Sequence, residues 1–437
     1  MVHRVHPRPA AFRSLPRRAA IALAAVVVLG GLVALSGCGS SLRDGSDARA
    51  DVDATTHTSC ASTVLAALSG VATRVYRQGI ASERTASAMH MITRSSALRK
   101  AVEAGDASAT RAAARSLLAT GHMTNLRVTA GGRVLADLGG AAVAPLTGEL
   151  TGTAGKPIAS FQTSVWADGG LIAELNGIAE AQTVVRSVGA TPGAGRDVAG
   201  TVALPPGELP ARGTLTRSGT AYEFTSFAAR AYPAGDPLRV YLIRPVASTS
   251  TLCGSNDEET TYNTISHIAH LIYDGEAGRR THAQIDRVQH SRPLLRAVAR
   301  KDPTATRAAV EALLHEHVVR LRVSAGGRLL SDVGGPFVLA PVTAPLRRGG
   351  RTIGSFVMSI QDDEGYKRLA QRLVGVDVLM YMGSRLVKST IGFSPGPIPT
   401  SGPVSYRGKR FRAYTFTAEA FPSGPLRITV LIPMPYS

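Results

Sequence analysis

Along the second half of the chain the spacing of apolar positions changes once, and that change separates helices from strands. From Thr261 to about Gln289 the pattern is helical, with Ile265, Ile268 and Ile272, and later Ile285 and Val288, near one face. A shorter helix is expected over roughly 293–301. Asp302-Pro303 supplies an N-cap and a first-turn proline for a third helix ending near Leu314, and Asp106 stands at the same place in the first half. Strand texture follows. VRLRVSA and GRLLSDV flank a Gly-Gly turn, a hairpin signal, and residues 351–360, RTIGSFVMSI, make a third strand. DDEGYKRLAQRL at 362–373 reads as a helix with acids in its first turn, where the helix dipole favours them. VDVLMYM and RLVKSTI form a hairpin around Gly383-Ser384, SYRGKRFRAYTFTAEAF turns at Gly408-Lys409, and LRITVLI is the last strand. This order predicts an α+β domain: a long helix, short helices, and one antiparallel sheet.

The same text occurs twice. AGGRVLADLGG at 130–140 returns as AGGRLLSDVGG at 325–335, and ATRAAARSLL at 109–118 as ATRAAVEALL at 305–314. PIASFQTSV at 157–165 answers TIGSFVMSI at 352–360, and YPAGDPLRVYLIRP at 232–245 answers FPSGPLRITVLIP at 421–433. A period of about 190 residues is a domain-sized unit, far longer than a solenoid repeat. Two tandem domains are expected, at 57–250 and 251–437.

The N-terminus reads as a targeting segment. Arg4, Arg8, Arg13, Arg17 and Arg18 precede an uncharged Ala/Val/Leu run from Ala19 to Gly37, the order of a secretory signal over 1–37. Leu35-Ser36-Gly37-Cys38 resembles the bacterial lipobox, so Cys38 is the expected lipidation site; an uncleaved membrane anchor is the alternative. Both place the remainder on the extracytoplasmic face of the cell membrane. Residues 38–56 are small and polar, a flexible tether with a reach of about 20–25 Å. Cys60 and Cys253 then remain, each just ahead of the first helix of its copy. An even pair in an oxidising compartment suggests a disulfide, against the alternative of two free thiols.

Charge adds an asymmetry. The chain carries 49 basic and 31 acidic residues, and 24 basic and 15 acidic residues fall in 251–437. A basic exterior suits anionic surfaces or ligands. Nucleic acid is not expected as a partner, because aromatics are only 5% and the basic residues are scattered.

Chemical motifs are sparse. There is no nucleophile elbow, phosphate-binding loop or HExxH motif, so neither enzyme activity nor a cofactor is expected. His315-Glu316-His317 is better read as a solvated helix end than as a metal site, and His267 with His270 as packing residues. Asp362-Asp363-Glu364 is first of all helix-start charge.

RVSAGGRLLSD, GRTIGSFVMSIQDDEGYKRLAQRL and VLMYMGSRLVKST, behind a long helix, carry a resemblance. The pattern resembles the Cache (PDC-type, PAS-like) extracytoplasmic sensor domain, and each copy from about residues 64 and 261 onward is similar to it. The resemblance implies tandem PAS-like α+β domains and a ligand between the sheet face and the segment after the third strand. Asp362, Tyr366, Tyr381 and Lys388 are then the polar residues expected to line a pocket, with Lys388 and Arg412 suited to a carboxylate. GATPGAGRDVAGTVALPPGELP at 189–210 departs from the family hairpin, so the second copy is the expected binder. The expected role is a lipid-anchored sensor for a small organic molecule. Such domains usually precede an output module, so a separate membrane signalling partner is expected. The alternative is a structural or adhesion lipoprotein that holds wall polymer or another protein.

Overall fold

The computed structural model describes residues 60–189, 195–274, 279–314, 318–392 and 397–436. The expectations for the leader, Cys38, the tether and His315-Glu316-His317 lie outside the described residues. The first copy opens with α1 (Cys60–Gln78), α2 (Glu83–Arg94), α3 (Ser96–Glu103) and α4 (Ala107–Thr120). Then come β1 (Asn125–Ala130), β2 (Arg133–Leu138), β3 (Ala142–Val143), β4 (Leu146–Thr151), β5 (Pro157–Ser164) and β6 (Trp166–Ala167). Helix α5 (Asp168–Ala179) leads to β7 (Gln182–Ser187), β8 (Asp197–Gly200), β9 (Arg212–Arg217), β10 (Thr220–Arg230) and β11 (Pro237–Pro245). The short α6 (Val246–Thr249) passes the chain to the second copy.

The second copy repeats the order: α7 (Asp257–Asp274), α8 (Arg279–Gln289), α9 (Arg292–Ala299) and α10 (Pro303–Leu313). Next are β12 (Arg320–Ala325), β13 (Arg328–Gly334), β14 (Val338–Leu339), β15 (Val342–Arg348), β16 (Arg351–Ser359) and β17 (Gln361–Asp362). Helix α11 (Asp363–Leu369) widens into a π-turn over Ala370–Val374, then come β18 (Asp377–Met382), β19 (Arg385–Ser389), β20 (Ser401–Tyr406), β21 (Lys409–Phe421) and β22 (Gly424–Pro433). The pattern expected to be helical over 261–289 is helical in the described residues, in α7 and α8. Caps hold where expected. Asp302 accepts from Ala305 N at 3.0 Å, and Asp106 from Ser108 N and Ala109 N.

The strands of each copy divide between two main sheets rather than forming one. An outer lobe carries the order β2-β1-β5-β4 in the first copy and β13-β12-β16-β15 in the second. An inner lobe carries β8-β7-β11-β10-β9 in the first copy; the corresponding run in the second is β19-β18-β22-β21, with β20 paired on β21. The outer lobes have separate cores, around Leu126, Phe161 and Ile92, and around Leu321, Phe356 and Val310. The inner lobes share one core. Leu68, Val71 and Val75 of α1 belong to the same cluster as Ile265, Ile268 and Ala269 of α7. Cys60 and Cys253 are joined by a disulfide with Cα atoms 5.7 Å apart, and Thr63 Oγ1 donates to Asp257 Oδ1 at 2.9 Å. Further along, the Arg74 guanidinium donates to Val374 O at 2.6 Å and lies over the Tyr436 ring.

Candidate functional site

Where the second copy's outer lobe meets its inner lobe, short pairings fix the backbone. Val338 and Leu339 of β14 pair with Asp362 and Gln361 of β17 on one side, and with Phe421 and Ala420 of β21 on the other. The Ser359 hydroxyl, within reach of Leu339 O and Gln361 O, donates its one proton between them and accepts from Gln361 N, which pins the crossover between lobes. Asp363 N donates to Phe337 O at 3.2 Å. Phe337 itself sits at φ 53°, a left-handed conformation that a bulky side chain rarely adopts.

This junction places three charged groups on the wall of one cleft. Asp362 is the N-cap of α11, its Oδ1 accepting from Gly365 N at 2.6 Å. A Cβ on Gly365 would lie 2.8 Å from that oxygen, so a larger residue there would have to shift the Asp362 carboxylate. Asp363 is buried, 5% exposed. Lys388 reaches it from β19, where it pairs with Met380, with Nζ 2.7 Å from Asp363 Oδ2 and 3.5 Å from Glu364 Oε1. The ammonium also lies 5.7 Å from the centre of the Phe337 ring. The cleft holds about 450 Å³ and is lined by Val318, Val319 and Phe337 together with Asp362, Asp363 and Lys388.

The charge balance of this wall is negative. The Asp363 hydrogen bond holds the Lys388 ammonium above its ordinary range; burial opposes this, and Glu364 adds to it. Glu364 is held below the usual carboxylate range, first by its hydrogen bond from Lys367. Lys388 therefore already serves two carboxylates, and Asp362 adds a third acid. A ligand carboxylate would have to displace Asp363 from Lys388. A ligand ammonium or amidinium would find acceptors in place.

The expected site residues do not assemble as one group. Asp362 and Lys388 share the cleft. Tyr366 does not line it: the side chain is fully buried in the shared core, its hydroxyl donates to Ala269 O at 2.9 Å, and burial pushes its pKa up. Tyr381 lies on the other face of the sheet, against the cluster of Leu379, Phe411 and Leu431, with the Arg427 guanidinium 5.6 Å from its ring centre. Arg412 is on β21 at the start of α7, 3.6 Å from Glu259 Oε1. Sequence reasoning missed the neighbouring cluster of Arg320, Arg322, Asp332 and Phe421. Arg320 Nε and Nη2 each lie 2.9 Å from a different Asp332 oxygen, Arg322 Nη2 donates to Oδ2 at 2.7 Å, and both guanidinium groups lie over the Phe421 ring. Burial works against the Asp332 carboxylate, yet the two arginines hold its pKa below the ordinary value. The signal was the alternation of Arg320 and Arg322, which puts both on one strand face.

The first copy has the frame without the charges. Thr201 and Thr390 make matching bonds to Thr183 N and Val378 N, which sets Ala199 at the place of Lys388. Ala167 stands where the second copy has Asp362. Part of the diverged 189–210 segment closes over the inner sheet: buried Arg186 bonds Asp197, Pro205 O and Gly207 O.

No protein-family model matches the chain, and no curated protein sequence matches it. Solved structures similar to it include two of low sequence identity. One is an extracellular ligand binding receptor from Desulfohalobium retbaense, 11% identical over 51% of this chain and 47% of that one, with a TM-score of 0.25. The other is the Vibrio cholerae LuxQ periplasmic domain, 12% identical over 43% of this chain and 98% of that one, also with a TM-score of 0.25. The match spans about half the length of the first. The chain is an α+β protein with a long helix opening each copy and several antiparallel sheets. Among the described residues no helix is long and apolar enough to cross a membrane, and no three potential ligand residues gather as a metal site.

Proposed function

We propose that the chain is an extracytoplasmic binding protein, held to the membrane through lipid on Cys38, whose second copy takes a small organic molecule in the cleft between its two lobes. The observation that carries this reading is the acid-rich wall of that cleft. Buried Asp363 is paired with Lys388, Asp362 stands beside it, and Phe337 on the same lining is held with a strained backbone. Backbone strain at a cleft is a recurrent mark of binding sites. The charge balance selects a ligand with an ammonium or amidinium group, alone or in a zwitterion. The carboxylate-binding role expected of Lys388 gives way to positioning Asp363. Bound state would then pass to a separate membrane partner through the junction at Phe337 and Phe421.

Calorimetric titration of the secreted chain with single amines, amino acids and organic acids tests this. Saturable binding of an amine or amino acid, weakened about tenfold or more by Asp362→Asn, is expected. Asparagine keeps the helix cap, so the variant changes charge and little else. Binding of organic acids alone, or an Asp362→Asn variant that binds like wild type, would sink the cleft assignment.

A further inference from the structure

We infer that the far end of the second copy's outer lobe is a docking surface for a phosphate-bearing polymer. Two hairpin tips and one helix end meet there. Arg347, Arg348 and Arg351 surround the Gly349-Gly350 turn of β15–β16, and Arg328 follows the Gly326-Gly327 turn of β12–β13. Arg300 and Lys301 end α9, with Lys301 beside Gly326. All six are exposed, and among the described residues none forms an ion pair with a carboxylate. The strand order places both turns at the same end of the sheet, about 10 Å apart across two strand spacings.

Two observations separate this cluster from an ordinary solvated face. The register sets Arg348 directly opposite Arg351, an arrangement of like charges that costs stability. The first copy folds the same sheet without it: Gly152 and Thr153 occupy the corresponding turn, and the Glu103 carboxylate accepts from Thr153 N and Oγ1. The first copy keeps Arg133 and Lys156 at the places of Arg328 and Arg351, but has Thr151 and Gly152 at those of Arg347 and Arg348. The fold does not require the Arg347 and Arg348 charges, and it bears a local cost to display Arg348.

The geometry also selects the partner. The six groups stand on convex tips rather than around a pocket, so one small anion meets one or two of them, whereas a chain of repeated anions meets all. Guanidinium forks match phosphate oxygens in pairs. The position argues for polymer over the membrane of attachment. Arg412 with Glu259, Tyr414 with Asn263 and Tyr273 with Glu419 show β21 running alongside α7, so the outer lobe lies beyond the C-terminal end of α7, away from Cys60. A helix of about 27 Å and a strand of about 30 Å therefore separate the chain's entry at Cys60 from the basic tips.

The test uses the secreted chain on immobilised linear polyphosphate at about 0.05 M salt, beside phosphatidylglycerol vesicles and single-stranded DNA. The triple variant Arg347→Glu, Arg348→Glu, Arg351→Glu should bind polyphosphate about tenfold or more weaker than wild type. Lys156→Glu in the first copy should bind like wild type, and Arg348→Thr alone should raise the unfolding midpoint. Equal retention of wild type and triple variant overturns the inference. So does tighter binding of wild type to vesicles or to DNA than to polyphosphate.

Discussion

Asp363 has given up nearly all of its hydration, and the Lys388 ammonium stands in place of that water. Removing the ammonium leaves a buried carboxylate with Glu364, another acid, next to it. Lys388→Met is therefore expected to lower stability by about 1–3 kcal/mol, less than a fully buried pair because Lys388 keeps part of its surface in solvent. The pH dependence has a fixed sign. The folded Lys388 pKa lies above its ordinary 10.5, so the pair's contribution is fully present below that value and is lost as pH rises through the folded one. Urea unfolding should show a constant gap between wild type and Lys388→Met from neutral pH to about 10, and a shrinking gap above it. A gap that widens with alkali would contradict the pairing. Tyr366 makes the complementary case. Tyr366→Phe deletes the bond to Ala269 O and should cost about 1 kcal/mol in the same assay. It should leave the calorimetric affinity of the cleft ligand unchanged, because Tyr366 belongs to the core.

At the level of elements, the disulfide closes a loop across 193 residues and ties the starts of α1 and α7. In the chain-entropy model a loop of that length is worth about 5 kcal/mol. Cys60→Ser with Cys253→Ser should lower the denaturation midpoint accordingly, and peptide mapping without reductant should recover the two cysteines in one linked peptide. Alkylation of both thiols in the unreduced protein would refute the link. The elements themselves were legible where local chemistry is strong. Helix α10 announced itself by Asp302 and Pro303, and the outer hairpins by paired glycines. Pairing was not legible, because an alternating pattern marks a strand without naming its neighbour. Hence one expected sheet became two, and β15, interrupted by Pro345 and Ala344, went unseen. The same gap misplaced site residues. Met380 opposes Lys388, so Tyr381, the next residue on the strand, must point to the opposite face. Tyr366 lay among acids in sequence, but its position on α11 turns it inward with Ala370.

At the scale of the molecule, the two copies are two in sequence and joined at the core. Each outer lobe closes its own apolar cluster, whereas the inner lobes bury α1 and α7 against each other in a single one. Ile265, Ile268 and Ala269 of α7 are essentially without solvent contact in the whole chain, in the cluster that also holds Leu68, Val71 and Val75 of α1. A second copy expressed alone over 251–437 would present that stripe to water and would also lose Arg74 from Val374 O. Exposed contiguous apolar surface of this kind drives association. The isolated half is thus expected to self-associate or to melt well below the intact chain. In the intact chain, the shared core should make both inner lobes unfold in one calorimetric transition, its van't Hoff and calorimetric enthalpies agreeing for that step. Chromatography with light scattering checks the half, and scanning calorimetry checks the whole. A half that stays monomeric with an unchanged midpoint, or an intact chain whose inner lobes melt in two separate steps, would mean that the packing of α1 on α7 contributes little. The two copies would then be independent domains joined by a disulfide.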